Sequence, residues 1–131
     1  MTHLHEIPTV EETRSAYEAR LRTYIEKRRA GVPPLQAATF AITASYPVWH
    51  ANRAAHLVSV FHMFARRYST APKPFTTMVT ERDLVALMLL CCNMGDYPAP
   101  PGSPYRVIAS KLLVDVLRPH WLELSKPLRA T

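Results

Sequence analysis

Apolar residues recur at helical intervals in five stretches of this chain, and each stretch is bounded by residues that start or stop helices. Over residues 10–30, Val10, Tyr17, Leu21, Tyr24 and Ile25 fall on one stripe. Ahead of them Thr9-Val-Glu-Glu12 is a capping-box pattern, with acids at the positive end of the helix. Lys27, Arg28 and Arg29 close the last turn, Gly31 suits a left-handed cap, and Pro33-Pro34 forbid continuation. An Ala-rich second helix is expected from Pro34 to about Ser45. Tyr46-Pro47 ends it, because the residue before proline avoids the helical region. Pro47 suits the first turn of a third helix reaching Tyr68. Its inward stripe is Ala54, Leu57, Phe61, Phe64 and Tyr68, and its other face carries Asn52, His56, Ser59, Arg66 and Arg67.

Residues 69–79, with Pro72 and Pro74, read as a loop. Thr80 then caps a fourth helix with Glu81 and Asp83 in its first turn. Leu84 to Cys92 is apolar all round, so this helix belongs at the centre of the fold or under a partner, and Gly95 is expected to end it. A stiff proline-rich loop follows. Ser103 and Pro104 open a fifth helix that turns Tyr105, Ile108, Leu112 and Val116 inward. Pro119 kinks or ends it, and His120 to Ser125 adds one short helical turn. No strand and no internal repeat is visible. The pattern predicts an all-α fold: one compact domain of about five helices, in orthogonal or bundle-like packing. The domain covers residues 1–131, with 1–8 and 126–131 as ragged termini. Val107 and Val114 form a second apolar stripe opposite the inward one, which makes the fifth helix a candidate contact for a second copy. The loop from Tyr97 to Tyr105 sets rigid prolines between two tyrosines, a composition equally suited to a partner or to the protein's own core.

A length of 131 residues suits one hydrophobic core, and 48% apolar residues is too many for a disordered chain. Net charge is +6, which favours anionic partners. The excess is concentrated: between Glu26 and Glu81 there is no Asp or Glu, a run of 54 residues. That run holds Lys27, Arg28, Arg29, Arg53, Arg66, Arg67 and Lys73, with His50, His56 and His62. Within it Trp49, Asn52, Arg53, His56 and Arg67 lie at three- and four-residue steps on one side of the third helix. Arg and Asn can read base edges, Arg and Lys can neutralise phosphates, and Trp can stack on a base. The plainer reading is a solvated helix face whose terminal arginines favour the helix dipole.

A helix-turn-helix can be fitted to 34–68 with Ala41 at the small position. Phe40, Ala44, Ala51 and Ala54 then occupy sites such a motif keeps apolar, and Pro47 starts the recognition helix. The match is partial, since alanines fit almost any helical pattern, and a helical hairpin without a DNA role is the stronger reading.

Other chemistry finds little support. His50, His56 and His62 are six apart and point about 120° from one another on a straight helix, too far to share an ion. His3 and His5 at the amino terminus do not approach a zinc signature, and adjacent Cys91 and Cys92 lack the usual spacing. Neighbouring cysteines rarely pair, so a reducing compartment is expected. Asp83, Asp96 and Asp115 belong to different elements, and three glycines cannot supply a phosphate loop. Residues 1–6 contain no apolar signal core, and the nine-residue run Leu84–Cys92 is too short to span a bilayer. The expectation is therefore a cytoplasmic, non-enzymatic regulatory or accessory protein without cofactor, metal or membrane partner. Its Lys27–Lys73 segment would dock on an acidic protein or nucleoprotein assembly, with DNA or RNA as the alternative partner. The residues expected to carry the contact are Lys27, Arg28, Arg29, Trp49, Asn52, Arg53, His56, Arg66, Arg67 and Lys73.

Overall fold

The computed structural model describes residues 7–70 and 78–128. Helix α1 spans Val10–Arg29, and its start is fixed by reciprocal bonds. Thr9 Oγ1 accepts from the Glu12 amide at 3.0 Å, while Glu12 Oε1 accepts from the Thr9 amide at 2.8 Å. Gly31 then turns the chain at φ +94°, a left-handed conformation that other residues adopt only with strain. Helix α2 (Pro34–Ala44) follows, and a 3₁₀ turn over Val48–His50 leads into α3 (Ala51–Thr70). Helix α4 (Glu81–Asp96) has its own capping box, with Asp83 Oδ2 accepting from the Thr80 amide at 3.0 Å. Ser103 caps α5 (Pro104–Leu117), and 3₁₀ turns over Arg118–His120 and Glu123–Ser125 complete the described chain.

The five helices form one compact all-α domain around a single hydrophobic cluster. Helix α4 contacts each of the other four, as its all-round apolar sequence requires. Val85, Met88, Leu89 and Cys92 are fully buried along it, together with Tyr17 and Tyr24 of α1, Ile42 of α2 and Phe61 of α3. Burying each of the large aliphatic side chains contributes about 1.5–3 kcal/mol relative to leaving it exposed. Residues 126–128, assigned to a ragged end by the sequence, are tied to the approach to α4. The Glu81 amide donates to the Lys126 carbonyl at 2.9 Å, and the Leu128 amide donates to the Val79 carbonyl at 3.0 Å. Thr80 and Pro127 form an isolated antiparallel bridge, and no strand occurs among the described residues.

Several local expectations are corrected. The third helix begins at Ala51, because the chain from Val48 to His50 takes the tighter 3₁₀ course after Pro47. Its core stripe is Ala54, Leu57, Phe61 and Ala65, while Phe64 and Tyr68 are half-buried and stack on each other with ring centroids 6.0 Å apart. Val10 and Ile108 are exposed rather than inward, and Ala109 and Leu113 take the core positions on α5. Gly95 lies inside α4 and does not end it. Its missing side chain serves packing: a Cβ there would sit 2.5 Å from Leu57 Cδ2 on α3. The proline loop of residues 69–79 falls largely at 71–77, outside the described residues, as do His3 and His5.

Gly95→Ala therefore sets a helix-propensity gain of about 1 kcal/mol against an overpacking cost of about 1–3 kcal/mol. The expected result is a lower urea midpoint than wild type. In a Leu57→Ala background the same substitution should become neutral or stabilising, since the clashing methyl is gone.

Candidate partner-binding face

The cations of the acid-free segment do not share one environment. Arg28 reaches Glu81 with Nε–H donating to Oε1 at 2.8 Å and Nη2–H to Oε2 at 2.9 Å, a bidentate pair. Tyr24 donates its hydroxyl to the same carboxylate at 2.5 Å, and Glu81 is buried. Burial pushes the Glu81 carboxyl up, but the bonds from Arg28 and Tyr24 outweigh it and hold the group below the ordinary carboxylate range. Burial and the Glu81 bond raise the Tyr24 hydroxyl, so it stays a donor. Arg29 forms a second bidentate pair, at 3.0 Å on both oxygens of Glu123, in an exposed setting.

Arg53 is engaged too. It donates to Asp96 Oδ1 at 3.2 Å through Nη2 and to the Gly95 carbonyl at 2.8 Å. Asp96 also accepts from Arg20 Nη2 at 3.1 Å and from the Tyr46 hydroxyl at 2.8 Å. Lys27 lies over the Phe40 ring at 4.7 Å. Of the ten residues singled out in the sequence, Lys27, Arg28, Arg29 and Arg53 thus have partners within the chain. Lys73 lies outside the described residues.

The remaining five belong to α3 and the turn before it. Asn52, His56, Arg66 and Arg67 are exposed on α3, and Trp49 is 81% exposed on the preceding 3₁₀ turn. Arg66 and Arg67 form no ion pair among the described residues. Two methionines join them, both largely exposed: Met63 on the same face and Met94 on α4. Between α3 and α4 runs a groove of about 380 Å³, with Arg53 and His56 at its polar positions and Val60, Phe64, Cys91 and Met94 among its apolar ones. The face mixes an aromatic anchor, flexible thioethers and cations with no carboxylate of its own. Cys91 lines the groove as well, and burial pushes its thiol up to about 11, which disfavours the thiolate.

Of the sites that the helix-turn-helix frame keeps apolar, Phe40, Ala44 and Ala51 are exposed and Ala54 is buried, as is Ala41 at the small position. His62 makes a local bond instead of facing a ligand with the other histidines. Thr39 Oγ1 lies 2.9 Å from the Leu35 carbonyl, to which it can donate, and shares a hydrogen bond with His62 Nε2 at 2.8 Å. Among the described residues no three His, Cys, Asp or Glu side chains converge as a metal site would need, and no helix is long and apolar enough to cross a membrane.

Fold and face together define a five-helix all-α domain that presents a cationic, aromatic and thioether-bearing helix. No known protein family, no curated protein and no solved structure matches this chain.

The parts missed by the sequence reading are of two kinds. Met63 continues the spacing of Asn52, His56 and Ser59 and was open to detection. The carboxylates that engage Arg28, Arg53 and Arg29 lie 53, 43 and 94 residues away and leave no local signal.

Asp96→Ala leaves the buried Arg20 guanidinium without its charge partner and should cost about 3–5 kcal/mol in urea unfolding. Arg29→Ala, at an exposed pair, should leave the midpoint close to wild type. Because the folded Glu81 carboxyl is held low, its contribution is complete above the unfolded value of about 4.3 and is lost as pH falls through the folded value. Thermal midpoints measured across that acid window should fall less steeply for Glu81→Gln than for wild type.

Proposed function

We propose that this protein is a non-enzymatic accessory or regulatory module that docks on an acidic protein surface through the outward face of α3. One observation supports the reading above the others. Where the other described Arg and Lys side chains of the acid-free segment have partners within the chain, Arg66 and Arg67 have none among the described residues and share α3 with exposed Met63 and, just before it, Trp49. Charge brings an acidic partner to such a face, and the apolar anchors hold it once water is excluded. A nucleic-acid partner is the weaker reading, because Arg53 is already committed to Asp96 and Gly95 and three of the apolar sites of the helix-turn-helix frame, Phe40, Ala44 and Ala51, are exposed.

The test places a photo-crosslinking residue at His56 and, as a control, at Lys111 on α5. The expected result is a single acidic protein crosslinked from His56 alone. Binding of that purified partner should weaken about tenfold or more on Trp49→Ala and on Arg67→Glu, with unchanged circular dichroism. Duplex and single-stranded oligonucleotides should show no anisotropy change at physiological salt. Tight oligonucleotide binding with a steep log-linear salt slope would replace the proposal with the nucleic-acid reading, and indifference to both substitutions would remove the face from the mechanism.

A further inference from the structure

On the other flank of α3 lies a second groove, of about 630 Å³, which the docking reading does not use. Its apolar walls come from three parts of the chain: Pro33, Pro34 and Leu35 at the head of α2, Leu84 on α4, and Pro127 and Leu128 in the segment bridged to Thr80. Three prolines stiffen the backbone of that wall, so little ordering is needed when something enters. The polar side chains lining it come from one element. His62, Arg66 and Ser69 lie on successive turns of α3, giving one polar strip opposite apolar walls. The Thr39 bond holds the His62 ring in place. No carboxylate lines the groove among the described residues, and Arg66 forms no ion pair there.

An apolar cleft of this size with a few polar groups gathered on one side has the character of a small-molecule site. The segregation specifies an amphiphile, and Arg66, the one Arg or Lys lining the groove among the described residues, specifies the sign of its head. We infer that this groove binds a single-chain aliphatic carboxylate, its chain along the proline and leucine walls and its head on Arg66 and Ser69. The guanidinium fork matches a carboxylate through two parallel hydrogen bonds. The site shares Arg66 with the α3 docking face, but Arg67 and Trp49 do not line it, so substitutions there separate the two.

The experiment titrates dansyl-undecanoate into the full chain and follows its emission. Binding should give an enhanced, blue-shifted signal that decanoate reverses, whereas decanol should compete at least about tenfold more weakly, because it lacks the charged head. Arg66→Glu should weaken the probe about tenfold or more and Arg66→Gln by less, both with wild-type circular dichroism. Arg67→Glu should leave it unchanged, although the same substitution weakens the docking reaction above. Absence of an emission change would overturn the inference. Equal competition by decanol would overturn the carboxylate specificity, and equal losses from Arg66→Glu and Arg67→Glu would show general charge attraction in place of a site. Displacement of the probe by an acidic peptide but not by decanoate would likewise overturn it, giving the groove to a protein partner.

Discussion

Helix α4 is held at both ends by arginines of a single neighbouring helix, and the packing of the domain depends on that arrangement. Arg28 of α1 meets Glu81 in the first turn of α4, and Arg20 of α1 meets Asp96 at its last residue. The order of these pairs runs the two helices antiparallel. Asp96 sits where the helix dipole disfavours a negative charge, yet Arg20, Arg53 and the Tyr46 hydroxyl surround it. That one carboxylate joins α1, the turn after α2, α3 and α4. Pairs of this kind add little net stability compared with apolar packing, but they penalise every arrangement that would leave one charge buried alone. Between the two pairs, Val85, Met88, Leu89 and Cys92 fill the interior with apolar contacts, and buried Asn93 adds a polar tie to α5 by donating to the Tyr105 hydroxyl at 2.7 Å and accepting from Arg106 at 2.9 Å.

The charge asymmetry of the sequence has a structural use that its linear form conceals. An acid-free run looks like a uniformly cationic surface when the chain is drawn out. In the fold, Glu81, Asp96 and Glu123 from beyond the run return to neutralise Arg28, Arg53 and Arg29. What remains outward is narrower and chemically mixed: two arginines late in α3, with methionine and tryptophan nearby. Such a surface combines long-range attraction with short-range apolar contact, and salt weakens only the first of these.

Element boundaries were legible because they rest on local chemistry. Thr9 with Glu12, Gly31 with Pro33, Thr80 with Asp83 and Ser103 with Pro104 each act within a few residues, and each helix forms where those signals place it. Errors arose where tertiary contact overrides local preference. Gly95 carries the usual signature of a helix stop, but Leu57 needs the space and the helix continues past it. Ile108 fits the inward period on α5, yet smaller Ala109 lies against Tyr17, whose hydroxyl donates to the Ala109 carbonyl at 3.2 Å. For the site, the outward positions of α3 could be read from periodicity alone. Which arginines were already engaged could not, because ion pairing across tens of residues has no period.

The bridge between Thr80 and Pro127 also has a bearing on the order of events during synthesis. The Glu81 amide at the head of α4 is satisfied by the Lys126 carbonyl, and Arg29 at the end of α1 by Glu123. The helix at the centre of the domain is thus completed by almost the last described residues of the chain. A nascent polypeptide can form α1 to α3 as they emerge, but it must carry the apolar surface of α4 without its final clasp until residue 126 is free of the ribosome. The domain closes late and as a unit, so its exposure to misassembly falls in the interval between the emergence of α4 and the arrival of the carboxy-terminal segment.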